Sequence, residues 1–185
     1  MNIEFPQPSG LVQFSPKVHR DDRGFFIESW NSKAMVDAGL GVEFVQDNHS
    51  YSRCAGTVRG MHCQAPPHAQ AKLVRCTRGR ILDAVVDVRK GSPSFGDWYA
   101  AEISAENAKQ LFVPVGFLHG FLTLEDDCEV QYKCSDFYAP GSDISVAWDS
   151  CGIDWPAGFS PILSDKDAAA VSMAEFETPF DWTNA

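Results

Sequence analysis

Short apolar stretches rich in Val, Phe, Ile, Leu and Tyr recur along the chain, separated by Gly, Pro, Asp and Ser. Stretches of this length with turn residues between them specify strands of a sandwich or barrel, because alternate side chains then meet a shared core. The pattern predicts strands over roughly 11–18, 24–30, 43–51, 56–64, 70–77, 80–89, 97–103, 110–115, 119–124, 128–136 and 144–148, a mainly antiparallel β fold. In CEVQYKCSD, alternation puts Cys128, Val130, Tyr132 and Cys134 on one face and Glu129, Gln131 and Lys133 on the other, which turns the tyrosine inward. Two helices interrupt the strands. In WNSKAMVDAGL, Ser32 is the expected N-cap and Gly39 the left-handed stop. In LSDKDAAAVS, Ser164 caps while Asp165 and Asp167 occupy the first turn, where the helix dipole favours negative charge.

With 185 residues and 44% hydrophobic content the chain can bury one sizeable core. The expectation is a single domain over residues 1–185, with a helical tail from about 160. A formal charge of -10 repels polyanions and argues against nucleic acid or an acidic membrane surface as partner, so a small anionic ligand needs a local basic pocket. MNIEFPQPSG carries no positive leader followed by a long apolar stretch, and no run is long enough to span a bilayer, which predicts a cytoplasmic protein. In that reducing setting Cys54, Cys63, Cys76, Cys128, Cys134 and Cys151 read as free thiols acting as small buried hydrophobes.

LFVPVGFLHGFLTL is almost wholly apolar, and its one ionisable group, His119, requires a partner. Alone it reads as a core histidine bonded to backbone. A second histidine, His62 in TVRGMHCQ, lies between Arg59 and Lys72 and changes the balance, since two imidazoles and two cations then converge inside one barrel. A metal is disfavoured by spacing: His62 is followed by Cys63 and Gln64 rather than by a second histidine, and APPHAQAKLVRCTRGR holds no carboxylate. Proton removal from carbon needs a base on one face, a group to hold the enolate and an acid on the other face. His62 suits the base, with Asp167 or Asp83 as its carboxylate partner; Lys72 or His119 suits the enolate; Tyr132 suits the acid. Each has an ordinary alternative, such as helix N-terminal stabilisation for Asp167 and a plain core tyrosine for Tyr132. Strict alternation sets His62 with Val58, Gly60 and Gln64 and turns Arg59 away, so the two share a pocket only if the strand is irregular, with Gly60 the place for a bulge. RCTRGR reads as a solvated strand end. No glycine-rich phosphate loop is present, so a diphosphate would be held by Arg and polar side chains.

DDRGFFIESWN, FVQDNHS, TVRGMHCQ, AKLVRCTRGRILDAVVDVRKGSPSFGDW, LFVPVGFLHGF, YKCSDFYAP and LSDKD together resemble, in order and spacing, the dTDP-4-dehydrorhamnose 3,5-epimerase family from about residue 17 to 168, with ETPFDW beyond. The resemblance implies a cupin-type antiparallel jelly roll, a homodimer, and no metal or organic cofactor. It also implies His62 as base, Asp167 as its partner, Tyr132 as proton donor and Lys72 at the enolate, with His119 and Asp83 lining the same pocket. Arg59, Gln46 and Asn48 match nucleotide-binding positions, Tyr138 packs near the base, and Asp143 and Lys166 match further substrate-binding positions. Arg23, Phe26 and Glu28 match residues that reach a neighbouring subunit's site. Cys63 in place of an aromatic residue, Asp143 in place of Glu, and SVAW at 145–148 depart from the family pattern and leave room near the pocket for altered substrate choice. The implied activity is epimerisation at C3 and C5 of a dTDP-4-dehydro-6-deoxy sugar. Its rivals are a single-carbon epimerase, a non-catalytic nucleotide-sugar-binding cupin and a metal-dependent oxygenase.

Overall fold

The structure, a computed structural model, describes residues 2–183. One sheet takes its strands in the spatial order β1 (Asn2–Glu4), β2 (Val12–Ser15), β10 (Gln110–Val113), β7 (Lys72–Arg78), β12 (Cys128–Cys134) and β5 (Gln46–Ser52). The other runs β13 (Asp143–Ser145), β6 (Val58–Gln64), β11 (Phe117–Thr123), β8 (Arg80–Asp87) and β9 (Trp98–Ser104). Every strand pairing in both sheets is antiparallel, and the two face each other as a cupin-type jelly roll. β3 (Val18–Asp21) and β4 (Gly24–Ile27) form a separate hairpin. The strand expected over 11–18 is therefore split, and β1 was not foreseen, since three residues with no buried side chain carry no alternation to read.

Period-two patterning explains three cores. Val74, Cys76, Ile81, Val85, Leu111 and Val130 point between the sheets, with Tyr132 packed against them. Leu73, Phe112, Val12 and Phe14 point out of the first sheet and are covered by Met35 of α1 (Ser32–Asp37), Trp30, Leu40 and Phe44. Met61, Ala84, Val86 and Leu118 point out of the second sheet and are covered by Cys151, Ile153 and Phe180 from the C-terminal segment. Each such fully buried side chain contributes about 1.5–3 kcal/mol. Among the described residues no helix is long and apolar enough to cross a membrane.

The cap of α1 corrects the sequence expectation: Asn31, extended at φ -148, accepts from the Ala34 amide, and Ser32 is already helical. Both residue types cap well, and the chain turns one residue earlier. Gly39 does adopt the left-handed conformation, at φ +85. Among the described residues beyond 160 the only α-helix is α2 (Asp165–Ala168), a single turn capped by Ser164, whose Oγ accepts from the Asp167 amide at 3.1 Å. All six cysteines are free; five are buried, but Cys54 is exposed and does not act as core.

Candidate active site

The β6·β11 pairing carries the irregularity that builds the site. His119 is opposite His62 and Phe121 is opposite Arg59, so two steps along β11 match three along β6. That extra residue reverses the alternation, and Arg59 and His62, which a regular strand would set on opposite faces, line one cavity. Two glycines make it possible. A Cβ on Gly60 would lie 2.5 Å from the Gly120 Cα, and one on Gly120 would lie 2.8 Å from the Arg59 carbonyl oxygen.

The cavity holds about 360 Å³ between the sheets. His62 and His119 enter it from β6 and β11, Lys72 and Tyr132 from β7 and β12 on the facing sheet, and Lys166 and Asp167 from α2 at the rim. The His62 Nε2 lies 2.5 Å from Asp167 Oδ1, and the His119 Nε2 lies 2.7 Å from Asp83 Oδ1. The choice left open for the His62 partner thus falls to Asp167. The Lys72 ammonium sits 5.9 Å from the Tyr132 ring centroid. Arg59 donates from Nε to the Ser52 hydroxyl at 3.1 Å and from its terminal nitrogen to the Tyr51 carbonyl at 3.0 Å.

The electrostatics follow from this placement. Burial raises the Tyr132 phenol above its ordinary pKa, with nearby Cys134 adding to the shift, so it stays protonated. Burial lowers Lys72, against which Cys134, Cys63, Asp143 and Asp83 act in the charged form's favour. Burial alone would raise Asp167; the hydrogen bond and charge of His62, with Ser164 and the Gly60 backbone, outweigh it and hold the carboxyl below its usual range.

The remaining candidates are placed variously. Gln46 and Asn48 lie on the inward face of β5 with Ser50, which lines the cavity, and Gln46 donates to Asn48 at 3.1 Å. The Gln46 side-chain oxygen also accepts from the Tyr138 amide. Tyr138 is exposed rather than packed on the base; its hydroxyl donates to Asp143, which also binds the Lys166 ammonium at 2.5 Å. Asp83 does not line the cavity as the resemblance implied: it is 0% exposed and stands behind His119. Cys63 and Val146 pack in the core under the C-terminal segment, so these two departures lie outside the cavity wall. Arg23, Phe26 and Glu28 lie on or beside the hairpin, away from the cavity: Arg23 pairs with Asp21, Phe26 is exposed, and Glu28 accepts from Asn31. Within RCTRGR, Arg78 and Arg80 meet acidic neighbours at the surface while Arg75 is half-buried outside the first sheet. Ser50, Thr57, Phe121 and Ile162 also line the cavity. Ser50 was readable by alternation from Gln46 and Asn48; Ile162 arrives through a bridge to Thr57 that no local pattern encodes. Among the described residues no three His, Cys, Asp or Glu side chains group as metal ligands.

An imidazole paired with a carboxylate on one wall, with a protonated phenol and a buried ammonium on the other, defines an isomerase that moves protons on a carbon acid. Residues 7–175 match dTDP-4-dehydrorhamnose 3,5-epimerase, and the chain belongs to that family. A dTDP-4-dehydrorhamnose 3,5-epimerase of Shigella flexneri is 48% identical over 170 residues, covering 90% of this chain and 93% of the relative. The crystal structure of the dTDP-6-deoxy-D-glucose-3,5-epimerase of Legionella pneumophila in complex with dTDP-4-keto-L-rhamnose superposes with TM-score 0.91 at 41% identity, covering 95% of this chain and 94% of that one. A 3'-monoepimerase from Streptomyces bikiniensis in complex with dTDP-quinovose has TM-score 0.86 at 37% identity, covering 91% and 86%.

Proposed function

We propose that this protein inverts C3 and C5 of dTDP-4-dehydro-6-deoxy-D-glucose to give dTDP-4-dehydro-L-rhamnose. The observation that carries the reading is the His62–Asp167 pair facing Tyr132 across one cavity, with Lys72 beside the phenol. His62 removes the proton alpha to the C4 ketone and becomes imidazolium, which Asp167 stabilises. The electron pair moves onto the C4 oxygen, where the Lys72 ammonium meets the charge. Tyr132 returns a proton to carbon from the opposite face, and the enolate collapses to the inverted ketone. Solvent takes the proton from His62 and returns one to Tyr132, and repetition at the second carbon completes the reaction. Arg59 faces the diphosphate, and Gln46 and Asn48 hold the nucleotide.

A homodimer completes the site in this reading. Among the described residues β5 is the last strand of its sheet and its outer edge is unpaired, while the β3–β4 hairpin pairs with neither large sheet and exposes Phe25 and Phe26. Arg23, Phe26 and Glu28 of one copy then reach the cavity of a second. A cytoplasmic setting accords with six unpaired cysteines.

The relationship to a 3'-monoepimerase supports a second reading, inversion of one carbon only. NMR of chelator-treated protein with dTDP-4-dehydro-6-deoxyglucose in D2O separates the two. Deuterium at C3 and C5 is expected; deuterium at one carbon selects the single-carbon reading; deuterium at neither overturns both.

A further inference from the structure

The two walls of the cavity differ in kind. From the first sheet come Ser50, Lys72 and Tyr132, side chains that end in a hydroxyl or an ammonium. The wall that carries His62 also holds an apolar strip: Val58 on β6, Phe121 on β11, and Ile162 and Leu163 just before the Ser164 cap of α2. Val58 and Phe121 are buried side chains of the barrel, whereas Ile162 is placed differently. It bridges Thr57, its amide donates to the Gly56 carbonyl at 2.9 Å and its carbonyl accepts from the Val58 amide at 3.0 Å, so the backbone fixes it on both sides. Its side chain nevertheless belongs to none of the three cores and stays 47% exposed. An isoleucine anchored so firmly in a cavity wall, beside three other apolar side chains, offers a surface that an apolar part of a ligand can cover.

The stereochemistry of the proposed reaction says which part that is. Every other carbon of the 4-dehydro-6-deoxy sugar carries oxygen, so its one apolar substituent is the C6 methyl on C5. The proton leaves C5 toward His62 and returns from Tyr132; the hydrogen changes sides, and the methyl swings the opposite way, toward the wall that carries His62. At C3 the same inversion swings a hydroxyl, which an apolar strip disfavours.

We propose that the strip is the receptor for the C6 methyl of the inverted sugar, with Ile162 as its specificity-determining residue. The inference deepens the epimerase reading, on which it rests for the identity of the methyl and the direction of its movement. Contact is made only after C5 has inverted, so the strip favours the L-configured sugar over the D-configured one. A hydroxymethyl group in the same place sets a hydroxyl against Ile162 and Phe121, and apolar pockets reject such a group by about ten- to a hundredfold.

The test is calorimetry with two pairs of ligands that differ only at C6. dTDP-L-rhamnose and dTDP-L-mannose carry the inverted C5; dTDP-quinovose and dTDP-glucose do not. In wild type the methyl ligand of the first pair binds about tenfold tighter or more, while the members of the second agree within about threefold. Ile162→Thr keeps a β-branched residue for the bridge, leaves the affinity for dTDP alone unchanged and reduces the first preference to within about threefold; Ile162→Val retains it. An equal preference in both pairs, no preference in the first, or a preference that survives in a folded, dTDP-binding Ile162→Thr protein overturns the inference, and the wild-type comparison stands whether or not the variant folds. Calorimetry needs no turnover, so a wild-type protein that exchanges no deuterium at C3 and C5 removes the epimerase reading while the two preferences judge the methyl site separately.

Discussion

The His62–Asp167 and His119–Asp83 pairs are alike at the hydrogen bond, 2.5 and 2.7 Å, and unlike in everything that supports it. Asp167 arrives from the C-terminal segment on a four-residue helix, held by the Ser164 cap and surrounded by several donors. Asp83 is built into the centre of β8 and is paired on both sides. The side chain of His62 is 27% exposed and that of His119 is 7% exposed. The contrast separates two tasks. In the proposed scheme the base that takes up and releases protons sits at the rim, where solvent can reset it, whereas the His119–Asp83 pair lies in rigid, dry structure.

The most severe way to break the comparison is at the rim. His62→Ala removes the base and is expected to lower kcat by about 10³-fold, within the general-base range of 10²–10⁴, with loss of deuterium entry into the substrate. Asp167→Asn keeps the shape but not the charge that stabilises the imidazolium, so kcat falls by about 10²-fold in a steady-state assay while dTDP affinity measured by calorimetry changes little. Full turnover in either variant would sink the assignment of the rim pair as the base.

Acid sharpens the difference more gently. Because the folded-state pKa of Asp167 is depressed, its stabilising contribution is present above the ordinary carboxylate value of about 3.9 and is lost as pH falls through the lowered value. Unfolding curves of wild type and Asp167→Asn should therefore differ near neutrality and converge in strong acid. The smallest effect is at the cap: Ser164→Ala removes the acceptor for the Asp167 amide, costs about 1 kcal/mol, and reduces kcat a few-fold by loosening α2. A matching cap change at Asn31, far from the chain's own cavity, should cost similar stability.

The fold was legible because its information is local and periodic. Alternation along CEVQYKC turned Tyr132 inward, and Tyr132 packs against the core between the sheets. Successive apolar stretches marked nearly every long strand, and Gly39 marked the end of a helix. Local pattern failed where the governing contact was distant. Ser32 and Asn31 are equivalent as caps until the chain direction is known, β1 exists only by pairing with β2, and Ile162 reaches the cavity wall through Thr57.

The sequence by itself determined which chemistries were present: two histidines, a lysine, a tyrosine and several carboxylates in strand-like segments, with no phosphate loop and a net charge unsuited to polyanions. Tertiary structure alone decided which carboxylate serves which histidine, a contact spanning 105 positions for Asp167 and 36 for Asp83. It also decided that Arg59 and His62 share a cavity, because the close approach of Gly60 and Gly120 and the shifted register are properties of two strands together. A side chain's identity is written at one position, whereas its partner, its burial and hence its charge are set by chain segments that meet only when the barrel closes.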